Sequence, residues 1–462
     1  MYRNRNRCPI HPALALMLGG LCALTGAWAQ VGNQPTYVTS DVPTISHAMI
    51  KLRMELPTLM TFGTTSRTYM YQPAGRFQIQ TSSLAPWGGN PTRTGDENRL
   101  LASVANQYSD DDWGYEYSSK VTVAVDADPT DETVGLFYDP HYLAADLGDE
   151  ADRADLINFW PLVPTVGVRD ISGEFQVPAV EDFDTTTDQW IRVRQVLTVV
   201  GDVVQFEYIV TNEDTTRHTV GLRVLIDATF GGGSSLDGQA IVLPDGSTFD
   251  TERTIPDASV ADDTLPDRWV AYDDPSSPNV AVRGVLNTSE VTDSGIADSS
   301  GGMPDAVSWG QMRNIGADLQ YYPSTNSRAS ILGEDWAYAV YWKPEQLNAG
   351  ESRRYVTYFG LGSSAGDYEP PYALMAYAPF QLVQRTGDDP ATPDTVESYY
   401  LGDENGNSPF KVSMFMDNFG TSTMYDATGR VRMPTGLELA SGQTTTKTAG
   451  DISRNEIDSL SW

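Results

Sequence analysis

One stretch constrains the fold of this chain more than any other. From Ile191 to Val200 apolar and polar residues alternate, with Ile191, Val193, Leu197 and Val199 on one side and Arg192, Arg194 and Thr198 on the other. Gly201-Asp202 then offers a tight two-residue connection, and Val204, Phe206, Tyr208 and Val210 line the inward side of a returning strand. A period of two, closed by a Gly-containing two-residue turn, predicts an antiparallel hairpin with one buried face. A third strand follows, with Val220, Leu222, Val224 and Ile226 on one face and Arg223 on the other. Shorter runs of the same kind occur at Lys51 to Leu56, Phe77 to Thr81, Val121 to Val125, Val280 to Leu286, Tyr338 to Trp342, Arg354 to Phe359 and Phe410 to Met416. Clusters of Gly, Pro, Asp, Asn and Ser separate them. The best helical stretch, Leu143 to Trp160, is acidic and weakly amphipathic and predicts one or two turns.

Many strands without a βαβ rhythm predict antiparallel sheets packed face to face. The expectation is an all-β chain: one large antiparallel two-sheet sandwich over residues 46–366, a hinge at 367–372, and a second β-sandwich module over 373–462. The hinge reading rests on Pro370 and Pro371, which cannot continue a central strand.

The amino terminus reads as an export signal. Arg3, Arg5 and Arg7 precede an apolar stretch from Ala13 to Ala27, and Ala27-Trp28-Ala29 has the small-x-small form that signal peptidase cuts. Residues 1–29 are therefore expected to be a signal peptide and 30–45 a linker, which places the mature protein outside the cell or on its surface. Both cysteines, Cys8 and Cys22, lie in the leader, so the mature chain has no thiol and no disulfide. No later segment reaches the ~20 apolar residues of a membrane helix. With 62 Asp+Glu against 30 Lys+Arg the net charge is −32, which repels nucleic acid and anionic lipid.

Two resemblances sharpen the fold. Pro409-Phe410-Lys411-Val412-Ser413, Asp417-Asn418-Phe419-Gly420, Arg432-Met433-Pro434-Thr435-Gly436-Leu437 and Lys447-Thr448-Ala449-Gly450 resemble, in that order, the immunoglobulin-like repeats of bacterial surface proteins. In such a repeat they would be a strand, an N-x-G turn, a P-x-G-L strand and a K-x-x-G turn. Further strands would follow Trp462, so an incomplete repeat is expected. The segment from Arg192 to Gly362 carries His218-Thr219-Val220-Gly221-Leu222-Arg223, Pro266-Asp267-Arg268-Trp269, Pro304-Asp305-Ala306-Val307-Ser308-Trp309-Gly310, Ala339-Val340-Tyr341-Trp342 and Tyr358-Phe359-Gly360-Leu361-Gly362. This order is similar to a family of large secreted bacterial proteins of uncharacterised role. The resemblance implies a galactose-mutarotase-like β-supersandwich followed by Ig-like repeats, and it implies no catalytic residue.

Candidate sites are few. The mature chain has three histidines, His47, His141 and His218; none has a partner at metal spacing, and no G-x-S-x-G elbow occurs, so zinc chemistry and a serine-hydrolase elbow are disfavoured. His218 reads as an exposed residue of the turn between two strands. His141 lies between aromatics in Tyr138-Asp139-Pro140-His141-Tyr142, as a ligand-facing loop residue would. Asp227 ends a strongly apolar strand and opens a Gly-rich loop, where the commoner role is an Asx turn. Trp113, Tyr115 and Tyr117, with Trp269 and Trp309, sit in loops or at strand ends, where aromatic faces beside acids could stack on sugar rings. Of inorganic partners, calcium suits the acidic loops best. Asp110 and Asp112, and the alternating Asp403, Asn405 and Asn407, offer partial oxygen sets, although the EF-hand pattern fails at Ser408 and Met414.

These features favour a non-catalytic extracellular or cell-surface structural or adhesion protein, with polysaccharide or envelope glycan as the natural partner; a spacer without ligand fits nearly as well. The alternative from another class is a glycosidase or polysaccharide lyase using Asp/Glu on the same scaffold. It predicts a concave cleft with convergent carboxylates or a Tyr/His/Arg cluster.

Overall fold

The computed structural model describes residues 44–54, 58–62, 67–71, 77–87, 90–94, 99–102, 105–106, 116–117, 119–126, 136–138, 165–179, 189–228, 240–256, 264–272, 281–286, 304–311, 315, 330–332, 336–362, 365–367, 371–379, 382–388, 397–402 and 409–462. The chain is all-β, and its ladders are antiparallel. The alternating stretch becomes strands Trp190–Val200 and Val203–Asn212, paired from Ile191 opposite Asn212 to Val200 opposite Val203. Gly201 enters the turn at φ +63°, where a Cβ would stand 2.4 Å from Met375 Sδ. Glycine is required there on both counts.

This hairpin lies within a nine-stranded sheet whose order is Thr165–Val166, Asp170–Pro178, Trp190–Val200, Val203–Asn212, Ser352–Leu361, Ala281–Val285, Arg268–Tyr272, Ile241–Val242 and Thr248–Phe249. A six-stranded sheet runs Leu136–Tyr138, Lys120–Val125, His218–Asp227, Trp336–Leu347, Ala306–Gln311 and Arg253–Ile255. One apolar core joins them, with Val193, Leu197, Phe206 and Tyr208 from the first and Leu222, Val224, Ile226 and Val340 from the second. Trp269 of the larger sheet meets Trp309, Trp336 and Tyr338 of the smaller one edge to face, with centroids at 6.0, 5.9 and 4.8 Å. Both sheets end in strands of two or three residues, which leaves little edge for unwanted pairing.

Smaller sheets and hairpins accompany these two. Strands Thr44–His47, Ile50–Met54, Phe77–Thr81 and Leu100–Ala102 form a sheet that sets Phe77 against Phe206, at 4.9 Å. The hairpin Thr58–Phe62 and Arg67–Tyr71 belongs to a separate unit. Ala365–Asp367, Tyr372–Tyr377, Ser413–Asn418 and Ile457–Ser461 form a carboxy-terminal sheet beside the hairpin Met424–Arg430 and Thr446–Ile452.

Several expectations need correction. Of the segment expected to be a hinge, residues 368–370 lie outside the described residues; on either side of them strands Ala365–Asp367 and Tyr372–Tyr377 pair, Asp367 opposite Leu374. Ala373, Met375 and Tyr377 belong to the sandwich core. Pro434 to Leu437 is a turn closed by Leu437 N–H to Pro434 C=O at 3.2 Å rather than a strand, and Lys447 to Gly450 lies inside a strand rather than in a turn. The outer face of strand His218–Asp227 is also buried: Arg223 and Leu225 are as enclosed as Leu222 and Val224, and Leu225 clusters with Ala306, Ala337, Ala339 and Tyr341 of the neighbouring strands, with Ile315 packed against them. Leu143 to Trp160 lies outside the described residues.

Candidate functional site

Several charges buried in the described residues are paired. Arg169 follows the turn at Gly167 between the first two strands of the nine-stranded sheet, and Asp417 projects from strand Ser413–Asn418. Arg169 Nη1 and Nη2 donate to Asp417 Oδ2 and Oδ1, both at 3.1 Å, a two-pronged pair. Gly201 N–H donates to the same carboxylate at 2.8 Å, and His47 Nε2 stands 3.5 Å from it. The remaining guanidinium protons reach Asn418 C=O at 3.3 Å, Val199 C=O at 3.4 Å and Asn455 Oδ1 at 3.0 Å. Burial pushes the Asp417 pKa up, but the bonds from His47 and Arg169 and the Arg169 charge outweigh it, and the net shift is downward.

A second carboxylate works in the opposite direction. Asp202, in the hairpin turn, accepts from Tyr377 Oη at 2.6 Å and Arg283 Nη2 at 2.8 Å. Burial first, then the charge of Asp202, raises the Tyr377 hydroxyl well above its usual pKa. So the sandwich grips Asp417 of the carboxy-terminal sheet, and that sheet's Tyr377 grips Asp202 of the sandwich.

His218 is corrected from an exposed turn residue to a nearly buried one. Its Nδ1 lies 2.8 Å from Asp126 Oδ2 and its Nε2 lies 2.7 Å from Asp214 Oδ2. Both ring nitrogens can bond carboxylates only as donors, so the imidazole is held as the cation. Burial lowers its pKa, while the bonds and charges of Asp214 and Asp126 raise it, and the rise prevails. Asp214 is itself enclosed; burial raises its pKa, yet Thr216, His218 and the Thr215 amide bring it below the usual value. Asp126 also accepts from Thr219 N–H at 2.7 Å.

On the outer face of the six-stranded sheet, Arg223 pairs in register with Thr122 on one side and Tyr341 on the other. Its Nη2 donates to Ile315 C=O at 2.8 Å. Burial raises the Tyr341 pKa, against the opposing charge of Arg223 and a bond with Ser308. Asp227 follows on the same face at the strand's end, 3% exposed, with its N–H donated to Ser119 Oγ at 3.1 Å. A Tyr/Arg pair and a carboxylate thus share one covered face.

Trp269 and Trp309, expected at loops or strand ends, are interior residues of strands Arg268–Tyr272 and Ala306–Gln311 and are 0% and 1% exposed. Large rings fill the deep space between two sheets, and none of that surface remains for a sugar. Tyr117 lies in the short strand Glu116–Tyr117 opposite Ala105. Trp113, Tyr115, His141, Asp110, Asp112, Asp403, Asn405 and Asn407 lie outside the described residues. Among the described residues no three His, Cys, Asp or Glu side chains converge to hold a metal ion, and no helix is long and apolar enough to cross a membrane. Sequence reasoning misses Arg169, Asp202, Asp417 and Tyr377, whose partners are distant along the chain.

No family model matches the chain, and no curated protein matches it. Among solved structures it is similar to a galactose mutarotase related enzyme from Lactobacillus acidophilus, at 9% identity and a TM-score of 0.31, over 70% of this chain and 97% of that one. It is similar to a galactose mutarotase-like protein from Lactobacillus casei, at 7% and 0.28 over 70% and 100%. A galactose mutarotase-like protein from Clostridium acetobutylicum gives 9% and 0.27 over 68% and 98%. Likeness at this level transfers no residue role and no activity.

Proposed function

We propose that this chain is a non-catalytic extracellular or cell-surface protein that serves structure and adhesion, with glycan as its ligand. The observation that carries the reading is how the described ionisable groups are used. The pKa values of Asp214, Asp245 and Asp417 are shifted downward. Buried tyrosines such as Tyr341, Tyr377 and Tyr355, the last pushed up to about 12, are shifted upward. A carboxylate or tyrosine acting as general acid or base needs the opposite, a pKa brought towards the working pH. Asp417, Asp214 and Tyr377 are held in one charge state and tie distant segments together through Arg169, His218 and Asp202, as suits a rigid display scaffold. Export by the leader of residues 1–29 belongs to the same proposal.

The second reading is a carbohydrate-active enzyme, which the Asp/Glu-rich chain raises. One experiment separates the two. The mature chain from Gln30 is applied to a glycan array with calcium and with chelator, and reducing-end release is followed on every polysaccharide bound. Binding without release supports adhesion; release of sugar ends overturns it in favour of the enzyme. Silence in both channels would leave a spacer.

A further inference from the structure

A cavity of ≈ 380 Å³ opens beside the Arg169–Asp417 pair, within the size range of small-ligand sites. Its walls come from the end of strand Thr44–His47, from Leu84, and from the turn between strands Thr446–Ile452 and Ile457–Ser461. Two polar groups in that wall are held from behind. His47, with 11% of its side chain exposed, turns Nε2 to Asp417, and its Nδ1 has no partner among the described residues. Whenever the ring is uncharged, the carboxylate partner keeps the proton on Nε2 and leaves Nδ1 as an acceptor. Asn455 accepts from Arg169 through Oδ1 and has Nδ2 left to donate. Asp451, Glu456 and Asp458 complete the polar wall, and no ion pair to them occurs among the described residues. Leu84, 54% exposed, and Ile457 supply apolar surface.

We propose that this cavity is a binding site for one non-anionic saccharide unit. The set is rich in acceptors and carries uncompensated negative charge, so its ligand brings donors and no anion. Ring hydroxyls or a sugar amine meet the carboxylates and His47 Nδ1, a ring oxygen meets Asn455, and the C–H face lies on Leu84. The inference rests on the glycan-binding reading and names its site. Uronates and sulfated sugars are excluded by charge.

The test is calorimetric titration of the mature chain with neutral oligosaccharides, glucosamine oligomers and oligogalacturonates, in wild type, Glu456→Gln, Asp458→Asn and Leu84→Ser. None of these residues takes part in the Arg169–Asp417 pair, and circular dichroism checks that each variant is folded. The expected result is binding of a neutral or amine-bearing arm, a loss of about tenfold in each carboxylate variant, and no binding of galacturonate. Unchanged affinity in all three variants would overturn the cavity as the site while leaving glycan binding intact. Preference for galacturonate would overturn the assigned chemistry. An absence of binding in every arm would overturn both the site and the glycan-binding reading.

Discussion

Replacing Asp417 by alanine tests the central pair most directly. The Asp417 side chain is 0% exposed and that of Arg169 is 8% exposed, so the substitution strands a guanidinium in low dielectric. It also removes the acceptor of Gly201 N–H. Removing one partner of such a pair costs about 3–5 kcal/mol, because the other charge stays buried. Arg169→Met combined with Asp417→Leu removes both charges, and much of that loss should return. Asp417→Ala, Arg169→Met and the double variant carrying both substitutions close a double-mutant cycle that isolates the coupling. The assay is urea unfolding read by tryptophan fluorescence and far-UV circular dichroism, since a chain of this size need not unfold in one step. The pH dependence has a definite sign. The folded-state pKa of Asp417 lies below its unfolded value, so the contribution is present above the ordinary carboxylate pKa and is lost as pH falls through the depressed one. A loss below about 1 kcal/mol at neutral pH for Asp417→Ala would refute the reasoning, because an enclosed, uncompensated guanidinium cannot be that cheap.

The remaining predictions follow from other parts of the core. His218→Asn should cost about 1–3 kcal/mol near pH 6, because Asp214 loses its charged donor. The folded-state pKa of His218 is raised, so that contribution is full below the unfolded histidine value and fades as pH climbs through the raised one. A wild-type-minus-variant difference that grew on the alkaline side would contradict the ion-pair assignment. Gly360→Ala places a Cβ 2.4 Å from Asp202 C=O, a backbone atom, and should cost about 1–3 kcal/mol. Gly173→Ala, whose Cβ meets only Met54 Sδ at an ordinary 3.6 Å, is its control and should lie within about 0.5 kcal/mol of wild type in thermal denaturation. Trp269→Ala should lower stability by about 3–5 kcal/mol. In the fraction still folded, glycan affinity should be unchanged; selective loss of affinity at full stability would restore Trp269 as a ligand platform.

What can be read from the chain, and what cannot, divides by distance along it. The hairpin at Ile191 to Val210 is legible because its period, its turn and its register are all local. Asp214 and His218 are four residues apart, yet their third member, Asp126, lies 92 positions from His218, and only the pairing of strands Lys120–Val125 and His218–Asp227 brings it there. Arg223 reads as facing solvent because a polar residue in an alternating strand ordinarily does. That rule fails here because Arg223 and Leu225 lie among Ala306, Ala337 and Ala339 of the neighbouring strands with Ile315 packed against them, and that cluster shows only after the strands are aligned. Trp269 and Trp309 mislead for a related reason: the acids and prolines flanking them look like loop, whereas the rings themselves are core. Arg169 and Asp417 are 248 residues apart and still leave a trace. Arg169 follows the apolar Val166-Gly167-Val168, and Asp417 follows Met414-Phe415-Met416. A charge in such surroundings must either break the strand or find a counter-charge once buried. In a chain with 30 Lys+Arg against 62 Asp+Glu the cations are the scarce partners, so a guanidinium in an apolar context points to a buried pair more strongly than any carboxylate does.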